Sequence, residues 1–270
     1  MHDLEKIAKN IKYAQDNCIE IEPISNRFPN FSIDDAYKVA EIIHQIRMDD
    51  GYIPVGRKIG FTNSKLWSAF GVSEPIWSYI YNKSVTYIEK ENEVCSIKEF
   101  YKPKIEPEVV FHLSSTPFGN SSIKELLECI DSISIGFEIV QCHFPEWKFK
   151  AVDTIVDWGL HAKLLVGKAQ KINLLGDNVI EDLSNFEISL LCNSKVVDKG
   201  CGSNALGSPL LAVLHLISVL SKQKESIPLK AGDIITTGTL TSVPPIGIGE
   251  TWSTNIKGIS LPDISICFQK

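Results

Sequence analysis

The sequence predicts an α+β fold in which a small helical N-terminal part, residues 1–51, precedes a β-rich domain, residues 52–270. Residues 1–50 carry apolar side chains at helical spacing, whereas later residues form short apolar runs between Gly, Pro, Asn and Ser. The predicted strands are irregularly spaced with few helices between them, which argues against a doubly wound parallel sheet. With 44% hydrophobic and 22% charged residues, the chain has a soluble, globular composition.

Helices are predicted where apolar side chains recur at helical spacing. The N-terminal segment MHDLEKIAKNIKYAQ alternates charged with apolar residues, so it is an amphipathic helix rather than a signal peptide. Ser32 is placed to cap the helix IDDAYKVAEIIHQIRMDD, and Gly51 stands where a C-terminal glycine is expected. Helices are also predicted at 121–131 and 208–221, the second with Ser208 as N-cap. The second is apolar on nearly all sides, which predicts burial, and its apolar run is too short to span a bilayer.

Strands are predicted where short apolar runs lie between turn-forming residues. The predicted strands are residues 55–60, 85–89, 106–113, 134–142, 161–166, 186–193, 233–237 and 263–268. Neither a G-x-G-x-x-G nor a P-loop sequence occurs, so nothing favours a bound nucleotide.

Charge and cysteine content disfavour several classes of partner. The net charge of −6, without a cluster of Lys or Arg, argues against nucleic acid. The seven cysteines are dispersed without a C-x-x-C pair, which is typical of reduced thiols and argues against a structural zinc site. These features predict a cytoplasmic protein that binds neither nucleic acid nor a membrane.

Three glutamates lie in unusually apolar predicted strands. In KIEPEVVF, Glu106 and Glu108 are two residues apart, so a strand directs both to one face. Glu138 lies in a similar setting, SIGFEIVQ. Carboxylates held together repel unless a cation neutralises them, and oxygen-only ligands suit Mg²⁺ or Mn²⁺. The alternative is the polar face of an edge strand, paired with lysines such as Lys102 and Lys104.

Three further motifs carry side chains that suit a substrate. GRKIGFTN places Arg57 and Lys58 in a strand, where the lysine can hold a substrate carboxylate, or transfer a proton if burial lowers its pKa. VDTIVDWG supplies Asp153 and Asp157, and the turn TTGTLTSVPPIG has N–H groups and hydroxyls that can cradle an anion. Taken singly, each motif has an ordinary alternative: a basic surface strand, a helix cap or a loop.

The order of these motifs resembles the fumarylacetoacetate hydrolase superfamily. The motifs are GRKIGFTN, PKIEPEVVF, GFEIVQ, VDTIVDWG, GSNALGSPLLAV and AGDIITTGTLT, and the resemblance runs from about residue 30 to the C-terminus. Within the superfamily, the chain resembles the 2-keto-4-pentenoate hydratase and 4-oxalocrotonate decarboxylase branch. The resemblance implies a mixed β-roll of twisted, mostly antiparallel sheet that assembles as a homo-oligomer.

The resemblance also implies which residues form the site. Glu106, Glu108 and Glu138 occupy the positions of the family's divalent-metal ligands, for Mg²⁺ or Mn²⁺. Lys58 matches the catalytic lysine of the G-R-K motif, and Asp157 is expected to position a water or a proton donor unless it is a turn or cap residue. The implied substrate-binding residues are Arg57, Thr239, Leu240, Thr241, Trp158 and Ser208.

The activity implied by the resemblance is that of a divalent-metal-dependent lyase, a hydratase or a decarboxylase. Its substrate would be a small 2-keto acid or its 2-hydroxydienoate enol, converted through a metal-stabilised enolate. One alternative is a hydrolase that cleaves the C–C bond of acylpyruvates. The other is a degenerate, non-catalytic homologue that serves as the partner subunit of a paired hydratase or decarboxylase.

Several positions depart from the family pattern. Trp158 follows Asp157 where members often carry asparagine, and Cys201 and Ser208 stand where many relatives have arginine and histidine. Ile76 lies where hydratases tend to be more polar. The altered pocket predicts an unusual or bulkier 2-keto acid, or loss of the water-addition step.

Overall fold

The computed structural model describes residues 3–64, 67–70, 72–90, 93–223 and 227–270. Its α-helices are α1 Leu4–Asn17, α2 Ile24–Arg27, α3 Ile33–Asp49, α4 Trp67–Phe70, α5 Ile123–Glu128, α6 Ala151–Val156, α7 Val179–Asn185 and α8 Pro209–Lys222. Its strands are β1 Pro54–Gly60, β2 Ile76–Tyr81, β3 Val85–Tyr87, β4 Glu93–Ser96, β5 Lys104–Leu113, β6 Ile130–Val140, β7 His161–Val166, β8 Gln170–Lys171, β9 Glu187–Cys192, β10 Lys195–Cys201, β11 Ile234–Thr236, β12 Thr251–Lys257 and β13 Ser265–Gln269.

Helix α3 begins and ends where the sequence predicts, because its ends are encoded locally. The Ser32 hydroxyl accepts from the Asp35 N–H at 3.1 Å, and the Asp35 carboxylate accepts from the Ser32 N–H at 3.3 Å. This reciprocal pair is a capping box. Gly51 follows the helix with φ +76°, a left-handed conformation that glycine adopts without strain.

Two sheets form the β-rich part. The larger sheet has eight strands in the order β2-β1-β11-β5-β6-β7-β3, with β8 paired to β6. The smaller sheet has five strands in the order β10-β9-β12-β13-β4. Among the described strands, the pairs β1–β11, β3–β7 and β4–β13 are parallel and the others are antiparallel. The predicted α+β fold with a mixed, mostly antiparallel sheet is confirmed.

Strands β5 and β6 lie at the centre of the larger sheet and bury both of their faces. Odd-numbered side chains, such as Val109 and Phe137, belong to the main hydrophobic core. Even-numbered side chains, such as Val110, form a smaller apolar cluster on the opposite face with Leu164 of β7. This second face also carries the glutamates of the candidate site, because side chains alternate along a strand.

The N-terminal helices share a hydrophobic core with α6. Ile11 of α1 and Val39 of α3 belong to the same buried cluster as Ile155 of α6. This core joins the predicted helical region 1–51 to the predicted domain 52–270. The division of the chain at that boundary stays a prediction.

Strands β2, β4, β8, β10 and β12 lie outside the predicted set. β2 reads IWSYIY and is buried at all of its positions, so it shows no alternation of apolar and polar residues. β12 buries Trp252 and Thr254 on one face, and the polar threonine hides the alternation. Both strands were missed because the sequence prediction infers burial from side-chain polarity.

Helix α8 is buried, as its apolar sequence predicts. The stretch Gly202–Lys222 has 21 residues and is by length and composition apolar enough to cross a membrane, whereas helix α8 itself, Pro209–Lys222, has 14 residues. Within that stretch, 50% of the assessed window is buried in the fold, and Val213 and Leu216 belong to the main core. This burial is typical of the core helix of a soluble protein.

Candidate metal centre

Three glutamates of β5 and β6 meet on one face of the larger sheet, and we call Glu106, Glu108 and Glu138 the acid site. In the β5–β6 register, Glu106 lies opposite Glu138 and Glu108 lies opposite Gly136. One carboxylate oxygen from each glutamate lies within 4.8 Å of the other two. Glu108 and Glu138 have no exposed surface, whereas Glu106 is half-buried. The alternative of a solvated edge strand paired with lysines is therefore wrong, because β5 is an inner strand.

Glu138 is the most completely partnered of the three. Its Oε1 lies 2.7 Å from His161 Nδ1, and its Oε2 lies 3.2 Å from Lys58 Nζ. Burial opposes ionisation of Glu138, but Lys58 and the hydrogen bond from His161 lower its pKa to about 2. Glu138 is therefore a carboxylate at neutral pH.

Glu106 and Glu108 lack comparable compensation. The Glu108 Oε2 accepts from the Gly238 N–H at 2.8 Å, but its Oε1 has no hydrogen-bond partner among the described residues. Burial, together with repulsion from Glu138, raises the pKa of Glu106 to about 7 and that of Glu108 well above its usual range. The fold thus holds two carboxyl groups in a place where they resist ionisation unless a cation is added.

The acid site fits a divalent cation. Three carboxylates converge, the buried Glu108 Oε1 has neither a hydrogen bond nor an ion pair among the described residues, and all ligand atoms are oxygens, which hard ions such as Mg²⁺ prefer. Lys58 alone supplies one positive charge against three negative ones. A divalent ion would balance the remaining charge and give the unpaired oxygen a partner.

Lys58 closes one side of the acid site. Its Nζ donates to the Gly159 carbonyl at 2.8 Å, and its side chain is buried. Burial alone would lower the pKa of Lys58, but the charges of Glu138, Glu106 and Glu108 outweigh it and raise the pKa. The expectation that burial lowers this pKa is therefore wrong for the metal-free site, in which Lys58 is an ammonium ion.

The GTLT turn approaches the acid site through its glycine. Gly238 has φ +89°, and a Cβ there would lie 2.1 Å from the Thr62 hydroxyl oxygen, so only glycine fits. Thr239 and Thr241 are half-buried, and the Thr239 hydroxyl donates to the Thr241 carbonyl. Leu240 is fully buried, and its N–H donates to the Pro107 carbonyl at 2.9 Å. The turn is thereby fixed against β5 between the two metal-ligand candidates.

Asp157 lies in a buried hydrogen-bond network away from the three glutamates. Its carboxylate accepts from the His143 N–H, and it lies 2.8 Å from His143 Nδ1 and 3.2 Å from Gln15 Nε2. Asp153 binds the short helix α2, because its carboxylate accepts from the Ser25 N–H and hydroxyl. Asp157 therefore anchors the start of the segment whose Gly159 carbonyl binds Lys58.

The remaining predicted substrate-binding residues, Trp158, Arg57 and Ser208, lie in different elements of the fold. Trp158 donates from Nε1 to the Tyr79 carbonyl at 2.7 Å, and its backbone is left-handed with φ +56°. Arg57 precedes Lys58 on β1 and stacks on Tyr79, so it points to the opposite face of the sheet. Ser208 is the buried N-cap residue of α8, as predicted, although its side chain makes no capping bond.

Among the positions noted as departures, Ile76 and Cys201 lie apart from each other. Ile76 begins β2 and packs in the core of the N-terminal helices. Cys201 ends β10, with Sγ 3.1 Å from the Ser203 hydroxyl. The structure does not bring these two side chains together.

His161 and Ser84 are site neighbours that the sequence analysis did not assign. His161 is buried, with its Nδ1 2.7 Å from Glu138 Oε1 and its Nε2 2.9 Å from the Ser84 hydroxyl. Burial lowers the pKa of His161, so the neutral ring donates to Glu138 from Nδ1. The sequence signal was a histidine at the first position of a predicted strand. Its contact with Glu138, however, depends on the register between β6 and β7, which the sequence does not give.

The sequence matches a known family over most of its length. The family described as fumarylacetoacetate (FAA) hydrolase, C-terminal, matches residues 65–261. A 2-keto-4-pentenoate hydratase of Paraburkholderia xenovorans is 29% identical over 260 residues, which cover 94% of this chain and 91% of that protein. A 4-oxalocrotonate decarboxylase of Pseudomonas sp. (strain CF600) is 26% identical over 256 residues, which cover 94% and 92%.

A solved structure shares the fold over nearly the whole chain. The 4-oxalocrotonate decarboxylase of Pseudomonas putida G7, complexed with magnesium and adipate, superposes with a TM-score of 0.88 at 25% identity. The superposition covers 98% of this chain and 97% of that one. The similarity extends through the helical N-terminal part as well as both sheets.

Proposed function

The chain belongs to the fumarylacetoacetate hydrolase family, and from that premise we propose that it is a divalent-metal-dependent lyase, either a hydratase or a decarboxylase. Its substrate is a small 2-keto acid or the 2-hydroxydienoate enol of one. The observation that carries the proposal is the convergence of three glutamates within 4.8 Å beside a buried lysine. Its hydratase and decarboxylase relatives, which align over more than nine-tenths of the chain, support it.

We assign Glu106, Glu108 and Glu138 as the ligands of a Mg²⁺ or Mn²⁺ ion. The magnesium in the similar decarboxylase structure supports a divalent ion, and the all-oxygen donor set supports a hard one. When bound, such an ion supplies Lewis acidity that stabilises negative charge developing on a keto oxygen. The unpaired Glu108 Oε1 and the half-buried Glu106 leave one side of the site for substrate.

Lys58 is assigned the proton-handling role. Its Nζ is held between the Glu138 carboxylate and the Gly159 carbonyl, so its position is fixed by two acceptors. A bound dication would offset the attraction of the glutamates and bring the pKa of Lys58 down, which favours release of its proton. Lys58 Nζ then either binds the substrate carboxylate or delivers a proton to the carbon chain.

The other site residues are assigned to binding and positioning. Thr239, Leu240 and Thr241 hold the turn whose Gly238 N–H donates to Glu108, and Trp158 and Ser208 are assigned to the pocket wall. Asp157 positions the segment that carries Gly159, which agrees with its network of hydrogen bonds to His143 and Gln15. Arg57 is assigned to supporting β2 through its stacking on Tyr79, since its side chain lies on the other face of β1 from Lys58.

We also propose that the protein is cytoplasmic and forms a homo-oligomer, either alone or paired with a homologous hydratase or decarboxylase. Seven free thiols agree with a reducing compartment. Oligomerisation follows from the family resemblance and is checked by light scattering of the purified protein.

The deciding experiment uses metal-stripped protein with and without added Mg²⁺. It is incubated with 2-hydroxypenta-2,4-dienoate or with 4-oxalocrotonate, and products are identified by mass spectrometry. We expect metal-dependent consumption of one substrate, with water addition identifying a hydratase and CO₂ release identifying a decarboxylase. Tight metal binding without consumption of either substrate or of bulkier 2-keto acids would favour the non-catalytic partner subunit.

A further inference from the structure

A left-handed backbone turn carries the carbonyl group that binds Lys58, and we call residues 158–160 the lysine turn. Trp158, Gly159 and Leu160 have φ values of +56°, +59° and +64°. The Gly159 carbonyl accepts from Lys58 Nζ at 2.8 Å. Residues other than glycine adopt this conformation at a cost in free energy, and it persists only where surrounding contacts hold it. The contacts that hold the lysine turn therefore also fix one acceptor of Lys58.

The lysine turn packs closely against two side chains at the acid site. A Cβ on Gly159 would lie 3.0 Å from Lys58 Cδ, so the backbone of the turn and the lysine stem are in tight contact. The Trp158 ring lies edge-on to the ring of His161, with 4.9 Å between the ring centres. Because packed interiors leave little free space, a shift of the turn would displace Lys58 as well as its acceptor.

Arg47 of α3 holds the Trp158 side chain. The Arg47 guanidinium lies 4.0 Å from the centre of the Trp158 ring, which is a cation–π distance. Arg47 is buried, and its guanidinium donates to the Gln15 side-chain oxygen at 2.6 Å. The indole is fixed a second time, because Trp158 Nε1 donates to the Tyr79 carbonyl at 2.7 Å. A planar guanidinium that is both stacked and hydrogen-bonded has a defined position, so α3 supports the indole firmly.

Gln15 of α1 connects Arg47 to the residues that precede the lysine turn. Its Nε2 donates to the Asp157 carboxylate at 3.2 Å and to the Val156 carbonyl at 3.3 Å. Its side-chain oxygen accepts from Arg47, so both ends of the buried amide are bonded. Helices α1 and α3 therefore hold the lysine turn through a continuous set of buried hydrogen bonds and one stacking contact.

We propose that Arg47 and Gln15 are positioning residues, which hold the lysine turn so that its Gly159 carbonyl faces Lys58. They act through the turn and not by contact with the substrate. The inference rests on the proposed function, because it assigns these two helix residues to the reaction in which Lys58 handles a proton. It gives the helical N-terminal part a role in that reaction, since Gln15 belongs to α1 and Arg47 to α3.

The first test measures steady-state turnover of 2-hydroxypenta-2,4-dienoate and of 4-oxalocrotonate by Arg47→Met and Gln15→Met. Displacement of Lys58 should lower kcat about tenfold, because small misplacements of a reacting group slow reactions strongly. KM and the affinity for Mn²⁺ should stay within about twofold, since neither variant changes a metal ligand. Both residues hold one turn, so the double variant should lose about as much kcat as the more affected single variant.

The second readout needs no activity and uses metal-free protein with ¹⁵N in its lysine side chains. The NMR resonance of the Lys58 ammonium group is identified by its loss in Lys58→Met. We expect Arg47→Met and Gln15→Met each to shift this resonance, because the Gly159 acceptor moves. The matched control is Arg27→Met, which removes an exposed arginine of α2 and should leave both the resonance and kcat unchanged.

The two readouts separate a failure of this inference from a failure of the proposed function. An unchanged Lys58 resonance in both variants, or an unchanged kcat in an active protein, would overturn the inference and leave the lyase assignment standing. Equal losses of kcat and of Mn²⁺ affinity would also overturn it, because the acid site itself would then be disturbed. If the wild-type protein converts neither substrate, the lyase assignment fails, while the resonance still tests the lysine turn. Gln15→Met removes no charge and supplies both measurements if Arg47→Met misfolds.

Discussion

The acid site and the two buried arginines, Arg47 and Arg57, both withdraw charge from water, but their surroundings differ. Lys58 lies against the glutamates of the acid site, whereas each arginine stacks on an aromatic ring and donates to neutral oxygens. Buried polar atoms without a hydrogen-bond partner among the described residues occur in both places. The acid site also brings like charges together, so it is unfavourable alone and suited to a cation.

The two regions differ in how the chain encodes them. The acid site comes from two adjacent strands, and its E-x-E spacing places two ligands on one face by alternation alone. The surroundings of the two arginines come from several elements: Arg47 of α3 stacks on Trp158, and Arg57 of β1 stacks on Tyr79 of β2. Local residue spacing therefore reveals the acid site but not the surroundings of the two arginines.

The sharpest test of the comparison removes one buried cation from each region in metal-free protein. Lys58→Met should lower the free energy of unfolding by about 3 kcal/mol, because it leaves Glu138 buried without its ion-pair partner. Arg47→Met should change it by less than about 1 kcal/mol, since Arg47 has only a neutral acceptor, Gln15. Urea unfolding of both variants and the wild type measures the difference. Equal losses of unfolding free energy would mean that Lys58 and Arg47 are equally stabilised by their surroundings.

The second test removes one carboxylate. Glu108→Gln should weaken divalent-metal binding about 100-fold or more, because the substitution removes a ligand charge at the centre of the acid site. Calorimetry with Mn²⁺ measures the affinity, and Glu187→Gln, an exposed strand glutamate outside the site, is the matched control. Full metal affinity in Glu108→Gln would remove this residue from the ligand set.

The third test uses pH in the absence of metal. The pKa of Glu106 is raised to about 7 in the fold, so the folded protein binds more protons than the unfolded chain between about pH 4.5 and 7. The free energy of unfolding should therefore fall as pH rises through that window, by about 3 kcal/mol from Glu106. Glu138 is ionised in the folded protein throughout the window and in the unfolded chain above about pH 5.5, so it adds little slope there.

Added Mg²⁺ should abolish that decline, because it favours the ionised carboxylates. Glu106→Gln should also flatten the metal-free profile. A profile that rises between pH 5 and 7 without metal would mean that the carboxylates are compensated by groups other than a bound cation. Thermal unfolding in chelator at several pH values supplies the measurement.

The sequence predicted the acid site well because its information is local. The E-x-E spacing of Glu106 and Glu108, the apolar setting of Glu138, and the family-like lysine at 58 all follow from short motifs. The capped helix α3 and the central strands followed from equally local patterns. What those patterns could not supply is the register that sets Glu106 opposite Glu138.

The residues that the sequence analysis placed least well depend on contacts between distant segments. Asp157 bonds to Gln15 of α1 and to His143, and nothing in VDTIVDWG reveals either partner. β2 escaped notice because it is buried on both faces, and with it the aromatic rings on which Arg57 stacks were missed. The surroundings of Asp157 and of β2 therefore depend on how α1 and α3 pack onto the sheet.

The smallest expected effect concerns His161, which holds Glu138 in place without being a predicted ligand. His161→Asn should weaken Mn²⁺ binding about tenfold, because groups that orient metal ligands typically contribute that much. His112→Asn is the matched control, since His112 also bonds to a serine hydroxyl of the larger sheet, Ser134, at 2.9 Å. Because His161 orients a carboxylate of the acid site and His112 does not, the His161 substitution should weaken Mn²⁺ binding more than the His112 substitution. If both substitutions weakened metal binding equally, the cause would be general loosening of the sheet and not the bond to Glu138.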